Sequence, residues 1–170
     1  MNKNKTVAII ARNGIIAALY VGLTLASFPL SYGMIQFRIS EILVLLCFFR
    51  KDYTVGLTLG CAIANIFSPE LGLWDVLIGT GATLIACLGI CFCKILFLAA
   101  LMPVVANALL VGFELSFILG VDNFWVCAGF VGLGEFVVLG VGYGLFMFLK
   151  NKKYFMENVI GANQNLECKF

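Results

Sequence analysis

The stretch that decides the fold is Phe124–Leu149, FWVCAGFVGLGEFVVLGVGYGLFMFL, in which Glu135 is the only charged residue. A helix that crosses a bilayer needs about 20 predominantly apolar residues. This stretch is longer, so it predicts a membrane-spanning helix. The rest of the chain has the same character, because 62% of the residues are hydrophobic, 12% are charged and the mean hydropathy is +1.07. Soluble domains have about 25% charged residues, so the composition indicates an integral membrane protein.

Charged and turn-forming residues divide the chain into six apolar runs, which predict an all-α membrane protein, a compact bundle of six transmembrane helices. The runs are Ala8–Phe28, Ile39–Phe49, Tyr53–Phe67, Trp74–Phe92, Ile95–Val121 and Phe124–Leu149. The second and third are short for a bilayer at about 1.5 Å per residue. They must therefore extend into their flanks, thin the membrane or be covered by neighbouring helices.

The positions of the basic residues predict the orientation of the bundle. Lys and Arg in short loops collect on the cytoplasmic side of a membrane. With the N-terminus inside, only Arg38 of the 11 basic residues falls on the outer side. We therefore predict both termini in the cytoplasm, with a cytoplasmic N-terminus at 1–7, one membrane domain at 8–150 and a cytoplasmic tail at 151–170. Because the tail is polar, we expect it to be partly disordered.

Missing residue types exclude several kinds of chemistry. The chain has no histidine, which excludes Ser–His hydrolysis and metal–histidine catalysis. It has no G-x-x-x-x-G-K-[ST] phosphate loop, so it does not hydrolyse ATP by that route. Its 7 cysteines lack the spacing of a zinc site and are better explained as small buried side chains. We expect no enzyme activity, no cofactor, no metal and no nucleic-acid partner.

A few ionisable residues inside the apolar runs are the candidates for function. Each costs about 2.5–3.5 kcal/mol at the bilayer centre on insertion scales, so pairing, water or a ligand must offset that cost. Arg38 and Glu41 belong to the tract Gln36–Glu41, and Glu114 and Glu135 lie in the fifth and sixth helices. Asn107 precedes Glu114 by two helical turns, so both can face one cavity. The pattern predicts an outward-facing, acid-lined cavity for a cationic or N–H-rich ligand.

Small residues recur at every fourth position in three of the predicted helices. Such stripes let another helix approach closely. For the first helix, docking of a separate subunit and internal packing are equally favoured, whereas we expect internal packing for the third and sixth. The stripes are Gly14, Ala18, Gly22 and Ala26 in the first helix, Gly56, Gly60 and Ala64 in the third, and Gly140 and Gly144 in the sixth.

Several polar motifs resemble those of a known family. They are Ile35–Glu41 (IQFRISE), Gly60–Asn65 (GCAIAN), Ser68–Asp75 (SPELGLWD), Gly79–Leu84 (GTGATL), Pro103–Asn107 (PVVAN) and Gly134–Glu135. In these residues the chain resembles the queuosine-precursor transporter (QueT) family, over about residues 8–150. Members of that family are substrate-binding S components of energy-coupling factor (ECF) transporters.

The resemblance implies a function and a set of partners. It implies a bundle in a prokaryotic plasma membrane that captures a 7-deazaguanine, such as 7-aminomethyl-7-deazaguanine or queuine, outside the cell. The implied partners are a transmembrane coupling subunit and two cytoplasmic ATPases. The first-helix stripe resembles the surface on which the coupling subunit docks, which favours docking for Gly14, Ala18, Gly22 and Ala26.

The resemblance also gives the polar residues expected roles. Glu114 and Glu135 are candidates to accept the adjacent ring N–H and amino donors of the base, because a carboxylate accepts both together. Arg38 either holds the carbonyl of the base or pairs with Glu41, and we favour the pair. The other substrate-binding candidates are Tyr32 and Gln36 in the first loop, Asn65, Trp74 and Asp75 at the outer mouth, and Asn107 beside Glu114.

Two other classes remain open at this point. One is an S component for a different micronutrient, such as a flavin or a pterin. The other is an autonomous facilitator or an intramembrane enzyme, although few residue types suited to catalysis are present.

Overall fold

The computed structural model describes residues 3–31, 36–68, 72–149, 151–152 and 154–164. Its elements are helical, and two of them change helix type along their length. In chain order they are α1 (Lys3–Ala26), α2 (Phe28–Ser31), a 3-10 helix (Ile39–Leu45) continued by α3 (Leu46–Phe49), α4 (Tyr53–Asn65), α5 (Leu73–Phe92), α6 (Leu96–Phe113) continued by a π-helix (Glu114–Ile118), α7 (Phe124–Leu149) and a second π-helix (Phe155–Val159).

The lengths of the helices support a multi-pass membrane protein. In the described ranges, four segments are long and apolar enough to cross a membrane, namely Thr6–Ala26, Leu73–Phe92, Leu96–Ile118 and Phe124–Leu149. The apolar helix Ile39–Phe49 is shorter, and α4 has 13 residues. The predicted all-helical class is confirmed, whereas the six-span count and the location of the termini stay predictions.

Contacts between helices fix their relative directions. α1 and α4 run in the same direction, and α5, α6 and α7 then alternate. The contacts are Asn13–Gly56, Ala17–Gly60, Asn65–Asp75, Cys61–Thr83, Gly89–Met102, Asn107–Glu135 and Gly112–Ala128. We call the end where α1 and α4 begin the basic end, and the end where they finish the acidic end.

The short helix Ile39–Phe49 lies inside the bundle. Leu45, Cys47 and Phe48 are fully buried. The helix packs against α1, α5 and α7, and a Cβ built on Gly142 of α7 would lie 3.2 Å from the side chain of Leu45. Neighbouring helices therefore cover this short segment. Such cover is one of the three ways predicted from the sequence in which a short apolar run can be accommodated.

The small-residue stripe of α4 packs inside the bundle as predicted, whereas that of α7 does not. Gly56 and Gly60 pack internally as expected, because a Cβ on Gly56 would lie 2.6 Å from the backbone oxygen of Asn13. The prediction of internal packing for Gly140 and Gly144 is wrong, since a Cβ at either position meets no described atom within 4 Å. Both lie on the exposed face of α7, whereas Gly134 and Gly142, on its other face, make the close contacts.

The residues after α7 fold back onto the basic end. Met156 and Ile160 are buried, and the Ile160 carbonyl accepts a 2.6 Å hydrogen bond from the Tyr53 hydroxyl. The Gln164 amide donates to the carbonyls of Cys47 and Phe48 at 3.2 Å. The described residues 154–164 are therefore packed on the bundle, because they satisfy carbonyls at the end of α3 that have no helical partner. The predicted partial disorder of the tail stays a prediction.

Candidate functional site

Buried polar side chains from five segments converge near the acidic end. Arg38 and Glu41 begin the 3-10 helix, Asn65 ends α4, Asp75 lies in the first turn of α5, and Glu114 follows α6. Asn107 of α6 and Glu135 of α7 complete the group, and each of the seven side chains is buried. We call these residues the polar cluster: Arg38, Glu41, Asn65, Asp75, Asn107, Glu114 and Glu135.

Asn107 and Glu135 form the direct link between α6 and α7 in the polar cluster. The Asn107 amide donates a 3.0 Å hydrogen bond to Oε1 of Glu135. Gly134 allows this arrangement, because a Cβ there would overlap the backbone oxygen of Gln36. The missing side chain thus lets the first loop lie against α7 beside Glu135.

Glu114 lies where α6 changes into a π-helix. The Leu119 N–H donates to the Glu114 carbonyl at 3.2 Å, a spacing of five residues instead of four. Such π-turns occur frequently at functional sites. The Glu114 side chain is fully buried and lies within electrostatic range of Asp75 and Arg38, so it belongs to the same cluster.

Arg38 pairs with a different carboxylate from the one expected. Its Nη2 lies 3.6 Å from Oδ1 of Asp75, and its Nε donates to the Ser31 carbonyl at 3.3 Å. The favoured pairing with Glu41 is wrong, because Arg38 has an extended backbone (φ −77°, ψ 91°) and precedes the helical turn that would bring the two side chains together. Arg38 therefore links the first loop to α5.

Tyr20 of α1 forms a hydrogen bond with Glu41, and this partner was not predicted from the sequence. The Tyr20 hydroxyl donates to Oε1 of Glu41, and both side chains are fully buried. One turn further along α1, the hydroxyls of Thr24 and Ser40 lie 2.7 Å apart in a second hydrogen bond. Tyr20 and Thr24, followed by Ser27 and Ser31, form a polar stripe at helical spacing that could have signalled this contact.

The polar cluster holds more acceptors than the surrounding protein satisfies. Glu41 Oε2, Asn65 Oδ1, both oxygens of Glu114 and Glu135 Oε2 are buried without a hydrogen-bond partner in the described part of the chain. Leaving such a group unpaired costs about 1–3 kcal/mol, and more for a charged one. With four carboxyl groups facing one guanidinium among these residues, the arrangement suits a ligand that supplies N–H donors or positive charge.

The remaining predicted binding residues are Gln36, Trp74 and Tyr32, and only Gln36 lies beside the polar cluster in the described part of the chain. Gln36 is buried and its backbone lies against Gly134, beside the polar cluster. Trp74 is 53% exposed on the first turn of α5, so the structure does not bring it into the cluster with its neighbour Asp75. Tyr32 lies outside the described residues.

The small-residue stripe of α1 faces outward along its whole length. Gly14, Ala18, Gly22 and Ala26 are all exposed, and a Cβ built on Gly14 or Gly22 meets no described atom within 4 Å. The opposite face of α1 packs on α4 through Asn13 and Ala17. A closely approaching helix from another subunit could therefore use the stripe without disturbing the bundle.

The fold and the site together define a class of protein. Several long apolar helices surround a buried, acceptor-rich cluster, which is the arrangement of a multi-pass cell membrane protein with ionisable groups inside its bundle. A sequence model described as the QueT transporter matches residues 10–151. The chain therefore belongs to the QueT transporter family.

One curated relative adds to this finding. The chain is 44% identical over 88 residues to "Queuosine precursor transporter QueT" of Lactococcus lactis subsp. cremoris (strain MG1363). The match spans 50% of this chain and 50% of that relative. No solved structure matches the chain.

Proposed function

We propose that the chain captures a queuosine precursor, a 7-deazaguanine, in the polar cluster and serves as the S component of an ECF transporter. The observation that carries this proposal is the set of buried acceptor oxygens of Glu41, Asn65, Glu114 and Glu135 that lack a donor in the described residues. A 7-deazaguanine presents several N–H donors around a flat ring. The family and the name of the Lactococcus relative support the same cargo.

The free oxygens suggest a role for each acid. Glu114 has both oxygens available and is the candidate for the adjacent ring N–H and amino group, which one carboxylate accepts side by side. The remaining oxygen of Glu135 or of Glu41 would receive an aminomethyl group. Asp75 is less available because Arg38 already pairs with it.

Calorimetry on the purified chain tests this assignment. We expect 7-aminomethyl-7-deazaguanine to bind more tightly than guanine, with queuine and riboflavin as further comparison ligands. Glu114→Gln removes a charge-assisted hydrogen bond worth about 1.5–3 kcal/mol, so we expect affinity to fall about 10- to 100-fold. The matched control is Asp122→Asn, an exposed carboxylate at the same end. Equal losses in both variants, or tighter binding of riboflavin, would contradict the proposal.

The coupling part of the proposal concerns the α1 stripe. A leucine at Ala18 or Gly22 would block a closely packed partner helix, yet both positions are exposed and the isolated bundle has room for the side chain. We expect Ala18→Leu and Gly22→Leu to abolish uptake in cells that also produce the coupling subunit and ATPases, with ligand affinity unchanged.

A matched substitution separates docking from general damage. Gly140→Leu places the same side chain on the exposed face of α7, where a Cβ also meets no described atom within 4 Å. We expect this variant to transport normally. Uptake that survives both α1 substitutions would show that the partner docks elsewhere, without affecting the binding assignment.

A further inference from the structure

An apolar groove of about 430 Å³ lies on one side of the bundle, towards the basic end. Residues of α1, the short helix, α7 and the tail line it, including Ile15 and Leu19 of α1, Leu43 of the short helix and Leu145 of α7. Its volume falls within the range of about 300–1,000 Å³ that is typical of small-molecule sites. Because α1 and α7 are long and apolar enough to cross a membrane, we expect the groove that they line to open towards lipid.

Arg12 gives this groove a charged end. Among the described lining residues it is the one arginine or lysine, and it lies six residues inside the segment Thr6–Ala26. A Cβ built on Gly161 would lie 2.9 Å from Nη1 of Arg12 and 3.1 Å from Nη1 of Arg50, so both atoms lie next to Gly161. Two guanidinium groups therefore approach one another beside the tail.

The two guanidinium groups differ in how they are neutralised. Arg50 donates to Asp52 through Nε at 2.7 Å and Nη2 at 2.8 Å, and to the Gly161 carbonyl at 2.8 Å. Among the described residues no carboxylate lies within 4 Å of Arg12. Within the part of the chain that the structure describes, the pair of arginines thus keeps one positive charge without a carboxylate partner, beside the apolar groove.

We propose that this groove binds one anionic phospholipid, with an acyl chain along the apolar lining and the phosphate on Arg12. The guanidinium fork matches two phosphate oxygens, and its flexible stem lets it reach towards the headgroup level. Phosphatidylglycerol carries a net negative charge that offsets the charge of Arg12, whereas phosphatidylcholine is net neutral, so phosphatidylglycerol is the preferred class. Basic pockets between membrane helices are known binding places for anionic headgroups.

Native mass spectrometry of the full chain in detergent tests the headgroup preference. The probes are dioleoyl phosphatidylglycerol and dioleoyl phosphatidylcholine at equal concentration. We expect one phosphatidylglycerol per chain at least tenfold above phosphatidylcholine, and we expect Arg12→Gln to reduce that preference at least fivefold. The control Lys94→Gln removes an exposed basic residue outside the groove and should leave the preference unchanged. Equal retention of the two lipids, or equal effects of the two variants, overturns the proposal.

A crosslinking experiment locates the acyl chain and does not depend on Arg12. The variant Leu145→benzoylphenylalanine puts a photoreactive group on the α7 side of the groove. We expect irradiation in phosphatidylglycerol nanodiscs to yield a protein–lipid adduct. The same group at Leu77, an exposed position on α5 away from the groove, should give an adduct yield at least threefold lower. Equal yields at the two positions, or protein–protein adducts from Leu145 that indicate a second copy or another subunit in the groove, overturn the proposal.

Discussion

At the scale of single residues, Tyr20 is the clearest test of how the polar cluster is held. Its hydroxyl donates to Glu41, and Tyr20→Phe would leave a second buried oxygen of that carboxylate without a donor. An unsatisfied buried group costs about 1–3 kcal/mol, so we expect a lower melting temperature for the ligand-free protein. The matched control is Tyr143→Phe, a partly buried tyrosine that contacts the Phe97 ring. Equal melting temperatures for the two variants would contradict a structural role for Tyr20.

The sequence predicted the acids of the polar cluster better than their partners. Glu41, Glu114 and Glu135 stood out because ionisable groups are rare in apolar helices. Tyr20 and Thr24 did not stand out, since hydroxyl groups cost little in a helix and are common in packed membrane bundles. Trp74 and Asp75 were both predicted at the outer mouth, but successive helical residues point about 100° apart, so burial of one does not imply burial of the next.

At the scale of helices, the glycines of α4 and α7 give a matched pair of substitutions. Gly56→Ala would put a Cβ 2.6 Å from the Asn13 backbone oxygen, so α1 and α4 must move apart. Overpacking of this kind costs about 1–3 kcal/mol. Gly140→Ala meets no described atom within 4 Å and should gain about 0.5–1 kcal/mol of helix stability. We therefore expect the melting temperature to fall for the first variant and to hold or rise for the second, and the reverse order would contradict the described α1–α4 packing.

The boundaries of the long helices were predictable, but the faces they bury were not. Apolar length alone identifies Leu73–Phe92 and Phe124–Leu149, because a membrane helix is apolar on its lipid side as well as its packed side. For the same reason apolarity does not say which glycines of α7 face inward. The 3-10 geometry of Ile39–Leu45 was also hidden, because the length and apolarity of a run do not distinguish one helix type from another.

At the scale of the whole molecule, the polar cluster and the tail lie at opposite ends of the bundle. The composition predicted a partly disordered tail, because the tail is rich in polar residues such as asparagine and lysine. Two apolar residues, Met156 and Ile160, are nevertheless enough to anchor it when the end of α3 offers free carbonyls. Residues 154–164 of the tail therefore stabilise the basic end, away from the polar cluster.

Deleting residues 154–170 separates these two roles. The deletion removes the Ile160 carbonyl that accepts from Tyr53 and the Gln164 amide that donates to Cys47 and Phe48. Each such hydrogen bond contributes about 0.5–1.5 kcal/mol, so we expect a melting temperature several degrees lower and faster proteolysis at the basic end.

Affinity for 7-aminomethyl-7-deazaguanine should stay within about twofold, because the polar cluster lies at the acidic end and each twofold change is only about 0.4 kcal/mol. A shorter deletion, of residues 165–170, keeps the hydrogen bonds of Ile160 and Gln164. A fall in melting temperature that is larger for the longer deletion would therefore assign the lost stability to residues 154–164. If the longer deletion abolished binding while the protein remained folded, the two ends would be coupled through the short helix Ile39–Phe49, which connects Glu41 to the carbonyls that the tail caps.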